Sequence, residues 1–185
     1  MRFCLSWLKE HLGQDISLNQ VIDSLIKIGL EVEEVIDQGA IYRNFKLGKI
    51  TGFEKHPQAD RLNCCLVDIG EFELISVVCG GSNVRKDMFV SFAPVGAFIP
   101  STGIVLKEGI IRGIPSKGML CSTDELNLGP SQNHEIMDIQ TDMPVGTSLD
   151  KVLGLDDVIL DISITPNRGD CFSLHGIARD LKCLL

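Results

Sequence analysis

Hydrophobic positions along this 185-residue chain change their period twice. In residues 1–39 the spacing is helical. Leu18, Val21, Ile22, Leu25 and Ile26 fall on one face of a helix, the stripe that a helix turns towards a core. Ser17-Leu18-Asn19-Gln20 has capping-box spacing at its start, and Gly29 fits a left-handed stop at its end. Leu30-Glu31-Val32-Glu33 then alternates as a half-buried strand does. From 40 to 150 short β-like runs take over, at 45–53, 62–69, 73–79, 88–93 and 103–106. Pro57, Gly70, Gly80-Gly81, Pro94, Gly96, Pro100, Gly113, Pro115 and Gly118 punctuate them. Beyond Lys151, Val158, Leu160, Ile162 and Ile164 alternate with more polar positions as a strand, and Pro166 marks 165–170 as a turn. Ile177, Ala178, Leu181 and Leu184 close with a helical stripe that meets no stop signal, an expectation of further chain downstream.

The two flanks are each too short to bury a core alone. Each offers a strand and an amphipathic helix, so the economical solution packs them together with the middle segment inserted. About five strands with long loops in ~100 residues is the size of an oligonucleotide-binding (OB) barrel. The predicted fold is therefore α+β: a small α/β module formed by both chain ends, 1–39 plus 151–185, with an inserted all-β OB-fold barrel at 40–150.

Composition narrows the chemistry. Hydrophobic residues make up 44% and charged residues 23%, the balance of a globular protein. No apolar run approaches the ~18 residues of a membrane span, and the first ten residues become charged too soon for a secretory signal, so a cytoplasmic location is expected. Seven scattered cysteines include no Cys-x-x-Cys pair, which predicts buried thiols rather than a zinc site or a disulfide framework. The net charge of −8, from 17 basic and 25 acidic residues, disfavours nucleic-acid binding by bulk attraction. The segment 40–150 carries 10 basic and 13 acidic residues, so any RNA contact must be local.

Three stretches stand out. Residues 56–62, His-Pro-Gln-Ala-Asp-Arg-Leu, read as a loop with His56 packed, since no catalytic partner is spaced nearby. Residues 78–84, Val-Cys-Gly-Gly-Ser-Asn-Val, resemble a phosphate loop but lack its Gly-Lys-Ser/Thr ending; a tight turn with Asn83 bonding the backbone fits better. In residues 112–122, Arg-Gly-Ile-Pro-Ser-Lys-Gly-Met-Leu-Cys-Ser, Gly113 and Gly118 permit close backbone approach, while Arg112, Ser116 and Lys117 supply donors for phosphate or a base edge. The same stretch also suits barrel closure with Met119 and Leu120 inside. No nucleophile elbow occurs, and the four histidines lie in different segments. Aromatic residues are 5%, with Phe53, Phe89, Phe92 and Phe98 expected in the core rather than stacking on bases.

Together these three motifs resemble the tRNA-binding barrel of standalone tRNA-binding proteins and some methionyl-tRNA synthetases. The flanks are more specific. Leu5-Ser6-Trp7-Leu8-Lys9-Glu10, Ile28-Gly29-Leu30-Glu31-Val32-Glu33, Thr165-Pro166-Asn167-Arg168-x-Asp170-Cys171 and Gly176-Ile177-Ala178-Arg179 resemble bacterial phenylalanyl-tRNA synthetase beta subunits. One departure is the run 134–139, His-Glu-Ile-Met-Asp-Ile, where that family shows a Gly-Ile-Leu-Glu-Leu-Pro-like sequence. The resemblance implies a longer subunit that pairs with an alpha subunit in an (αβ)₂ enzyme, which uses ATP and Mg²⁺ to attach phenylalanine to its tRNA. It implies no catalytic residue, metal or cofactor in this region, the synthetic site lying in the alpha subunit and the editing site in other beta-subunit domains. The tRNA-binding residues it implies are Arg61, Asn83, Arg112, Ser116, Lys117 and Met119. Three readings follow: an accessory tRNA-binding module, an architectural module bracing the synthetase, and a freestanding tRNA-binding protein. The acidic balance favours the second, and the helical stripe without a stop speaks against the third.

Overall fold

A computed structural model of the chain describes residues 1–131 and 133–185. In chain order the elements are β1 (Arg2–Cys4), α1 (Leu5–Leu12), α2 (Leu18–Lys27), β2 (Glu31–Asp37), β3 (Lys46–Lys55), β4 (Asn63–Asp68), β5 (Ile75–Cys79) and β6 (Phe89–Pro94). There follow β7 (Phe98–Ile99), β8 (Ile104–Val105), β9 (Gly109–Ile111), β10 (Ile114–Ser116), β11 (Gly118–Leu120), α3 (Leu149–Val152), β12 (Val158–Ser163), a 3₁₀ helix (Pro166–Cys171) and α4 (Leu174–Leu181). They form two compact units, one of Met1–Gly39 with Leu155–Leu185 and the other of Ala40–Gly154.

The first unit is built on a three-stranded antiparallel sheet in the order β1-β12-β2. The two early strands never pair with each other; both pair with β12, Phe3 opposite Leu160 on one side and Val35 opposite Leu160 on the other. Its core joins Leu8, Val21, Leu25 and Leu30 to Leu160, Ile162, Ile177 and Leu181, all fully buried. Burying each such side chain favours folding by roughly 1.5–3 kcal/mol. The capping box at Ser17 forms in both directions: the Gln20 amide donates to Ser17 Oγ, and the Ser17 amide donates to Gln20 Oε1. Gly29 follows α2 with φ +80°. Two sequence expectations change here. Residues 166–171 wind into a 3₁₀ helix rather than a simple turn, with Pro166 at its first position where no amide is required. The last helix stops at Leu181, leaving Leu184 half exposed and off the stripe. Arg168 fixes this corner, donating to the Ile28 carbonyl at 2.9 Å and to the Asp180 carboxylate.

The second unit is a five-stranded antiparallel sheet, β11-β6-β3-β4-β5, curled into a nearly closed barrel. Strand β3 makes the curl possible. Its first residues pair with β6, its later residues pair with β4, and a bulge between Ile50 and Gly52 bends it at the handover. Ile50, Cys65, Val67, Val77, Val90 and Phe92 fill the interior. The seam is closed on the far side of β5 by the segment 116–118. The Lys117 amide donates to the Ser76 carbonyl at 3.1 Å, while Ser116 Oγ accepts from the Val78 amide at 3.1 Å and donates to the Gly118 carbonyl at 2.9 Å. Gly118 can only be glycine in this place, because a Cβ there would stand 2.3 Å from Phe92 Cε2. The run 103–106 is therefore not a barrel strand. It supplies β8 of a short hairpin with β7, where Ile104 and Val105 are exposed, and the fifth barrel strand is β11 instead.

Candidate nucleic-acid interface

Strands β9 and β10 form a hairpin whose two-residue turn is Arg112-Gly113, with φ +47° and +88°. Positive φ at both central residues is the mirror-image turn that matches strand twist. Gly113 therefore serves the turn rather than a close approach: no atom lies within 4 Å of where its Cβ would be. The turn presents Arg112 at an exposed tip, where Nη1 donates to the Gln58 carbonyl at 3.2 Å.

Gln58 belongs to the β3–β4 loop. That loop is compact, with the His56 amide donating to the Leu62 carbonyl at 3.0 Å and the Leu62 amide donating to the Ala59 carbonyl at 3.0 Å. His56 is 4% exposed. The Gln58 amide donates to its Nδ1 at 3.1 Å, so the ring hydrogen sits on Nε2, which donates to the Ile111 carbonyl at 3.2 Å. His56 is thus packed, and exposed Arg61 rides on the loop it anchors.

The six residues implied for tRNA contact divide into two sets. Arg61, Arg112 and Lys117 are exposed cations and Met119 is half-buried, all free of internal duty in their charged or apolar ends apart from the single Arg112 bond. Ser116 and Asn83 are committed to the barrel. The Ser116 hydroxyl closes the seam, and the Asn83 amide clamps a distant strand-like segment, donating to the Ile136 carbonyl at 2.8 Å and accepting from the Ile136 amide at 3.0 Å. Asn83 does bond the backbone, but that of residue 136 rather than its own turn.

Beside the hairpin lies a cleft of about 490 Å³, lined among others by Gly80, Gly81, Lys107, Met119, Glu125 and Glu135. Asp124 and His134 also reach it. Three carboxylates against one lysine make it a poor seat for a phosphate. Glu125 is partly occupied, accepting from the Ser122 amide at 2.7 Å. Sequence reasoning missed this cleft because its walls come from strands and loops well separated along the chain; the paired Gly80-Gly81 was the available signal.

Two aromatic expectations are corrected. Phe92 is buried and Phe89 half-buried, but Phe53 and Phe98 are 39% and 45% exposed. Phe53 lies beyond the bulge near the end of β3, and Phe98 sits on the β7–β8 hairpin outside the barrel sheet. Phe72 is fully exposed. These rings are available to stack.

Among the described residues one group of ligating side chains comes together, Asp170, Cys171 and Asp180, with donor atoms within 4.8 Å. Arg168 and Arg179 already neutralise it: Arg179 donates to Asp170 at 2.5 Å, and Arg168 donates to the Cys171 sulfur at 2.7 Å. It is an ion-pair network. All seven cysteines are free thiols. Burial pushes the Cys65 thiol up to about 12 and raises those of Cys79 and Cys121 as well, so none of these three is a ready nucleophile.

The family described as "Putative tRNA binding domain" matches residues 45–148, the barrel and its closing hairpin. The chain belongs to this tRNA-binding domain family. Similarity extends past the barrel. Over 181 residues it is 44% identical to the phenylalanine–tRNA ligase beta subunit of Zymomonas mobilis, covering 98% of this chain and 23% of that protein. The beta subunits of Rhodopseudomonas palustris and Rhodospirillum rubrum are 45% and 47% identical over 183 and 182 residues, each match covering 98% of this chain and 22% of the relative. The chain thus spans less than a quarter of the length of these relatives. The motif resemblance to beta subunits holds along nearly the whole chain. Among solved structures, the C-terminal domain of Plasmodium vivax p43 covers 60% of this chain and 61% of its own, at 24% identity and a TM-score of 0.43. No described helix is long and apolar enough to cross a membrane.

Proposed function

We propose that this chain is the N-terminal accessory region of a phenylalanine–tRNA ligase beta subunit, and that its barrel contacts tRNA through the exposed cations Arg61, Arg112 and Lys117. The observation that carries the reading is similarity over 98% of the chain, which takes in the split α/β unit that a bare barrel would not need. The freestanding tRNA-binding protein is the weaker reading for the same reason. The enzyme would be a cytoplasmic (αβ)₂ assembly with an alpha subunit, attaching phenylalanine to its tRNA with ATP and Mg²⁺, its chemistry carried out elsewhere than in these residues.

The role of the barrel is to position. Arg112 at the hairpin tip, Arg61 on the neighbouring loop and Lys117 between β10 and β11 hold phosphates, while exposed Phe53, Phe72 and Phe98 offer planar faces for unpaired bases. A salt-dependent titration with phenylalanine tRNA and an unrelated tRNA tests this. Binding should weaken with salt, and Arg112→Ala with Lys117→Ala should flatten the slope of log K against log [salt] by about 1.4–1.8, the equivalent of two neutralised phosphates. Unchanged affinity and slope in the double variant would reject the assignment. A second reading, an architectural module, is favoured by the commitment of Ser116 and Asn83 to the backbone. Absence of binding at low salt, where attraction is strongest, would select it.

A further inference from the structure

We infer that His56 is a positioning residue for RNA contact, one half of a reciprocal latch that aims Arg112. The inference rests on the tRNA-binding reading above. Two segments cross-link each other through one side chain apiece. From the loop, His56 Nε2 donates to the carbonyl of Ile111, the residue immediately before Arg112. From the hairpin, Arg112 Nη1 donates to the carbonyl of Gln58, two residues beyond His56.

The consequence is geometric. Hairpin β9–β10 is short, three residues a side, and its outer apolar residue Ile110 is 77% exposed. An isolated two-stranded ribbon of this length is not stable. Its tip is held against the loop by the two latch bonds. Arg112 uses one of its five N–H groups in the latch, which leaves the others for a phosphate. The same latch ties Arg112 to the loop that carries Arg61. His56 touches no RNA itself; it acts through the Ile111 carbonyl.

Two nearly isosteric substitutions separate the halves of the ring. His56→Asn keeps an acceptor near the Nδ1 position for the Gln58 amide and removes the donor to Ile111. His56→Gln keeps a donor near the Nε2 position and removes the acceptor. A ring that accepts at Nδ1 carries no charge, so neither change alters the electrostatics of the chain. The chain of residues 1–185 is titrated with phenylalanine tRNA over a range of salt, and thermal unfolding of each variant confirms folding. His56→Asn should lower affinity about five-fold and flatten the salt slope by about 0.7–0.9, as if one phosphate were no longer neutralised although every charge on the protein is kept. His56→Gln should recover most of both. Equal affinity and slope in His56→Asn and the parent would overturn the inference and leave the tRNA-binding reading standing. A parent chain that binds no tRNA at low salt would sink that reading, and the latch's role in RNA contact with it. Loss of affinity in both variants with an unchanged slope would mean that His56 merely stabilises the barrel, which also overturns the inference.

Discussion

His134 sits in a backbone conformation that suits glycine, with φ +57° on an exposed residue. Relative to glycine, a histidine here costs backbone energy of roughly 1–2 kcal/mol, partly offset by the smaller chain entropy a histidine loses on folding. His134→Gly should therefore raise the free energy of unfolding by about 0.5–1 kcal/mol, read as a higher midpoint in urea; a fall would mean that the imidazole makes a compensating contact at the cleft. The sequence shows a histidine at this position but not the left-handed backbone it must adopt. The reverse held for Ser116 and Asn83. Both look like ligand donors in a motif, because a sequence shows which groups can donate and not which partners have already claimed them. His56 read correctly as packed, since it lacked any catalytic neighbour, yet its link to Ile111 joins positions 55 residues apart and no local pattern announces that.

At the scale of elements, the barrel's closure depends on a side chain where a backbone ladder would be expected. Replacing Ser116 by alanine leaves the Val78 amide, in a 7% exposed residue, without its partner. An unsatisfied buried donor costs about 1–3 kcal/mol, so Ser116→Ala should lower the unfolding free energy of the barrel by that amount, read from its denaturation midpoint, whereas Ser116→Thr should retain most of the stability. Strands β4 and β6 were legible because their apolar runs really do face a core. The run 103–106 failed for the opposite reason: Ile104 and Val105 have the right residue types but point outward on a hairpin. Strand β11 was legible only as a stretch suited to barrel closure, with Leu120 inside as expected, because it has three residues and its most telling feature, a glycine wedged against Phe92, is a long-range contact.

For the whole molecule, acid sensitivity follows from a few carboxylates held below their usual range. Asp161, beside the Arg2 guanidinium at 2.7 Å, is lowered chiefly by that hydrogen bond, and Asp170 is lowered by Arg168 and then Arg179. A carboxylate that is more acidic folded than unfolded stabilises the fold above its unfolded pKa and stops doing so as pH falls through the folded one. The first unit should therefore lose stability below about pH 4. Trp7, the single tryptophan and part of α1 in this unit, reports the transition by fluorescence. Asp161→Asn should make the unit less stable at neutral pH and flatten this acid limb; an unaltered pH profile would remove Arg2–Asp161 from the account.

The strand order β1-β12-β2 also has a consequence for how the chain is made. Strand β12 is the middle of that sheet, so until it leaves the ribosome neither β1 nor β2 has a neighbour to pair with. At about 5–20 residues per second, the ~120 residues between Gly39 and β12 take roughly 6–24 s to synthesise. During that interval Leu8, Val21, Leu25 and Leu30 have no sheet to cover them, while the barrel, a continuous stretch of sequence, can already close. The split unit is thus born with its halves out of step, its first 39 residues waiting for Leu155–Leu185 while the whole barrel is made.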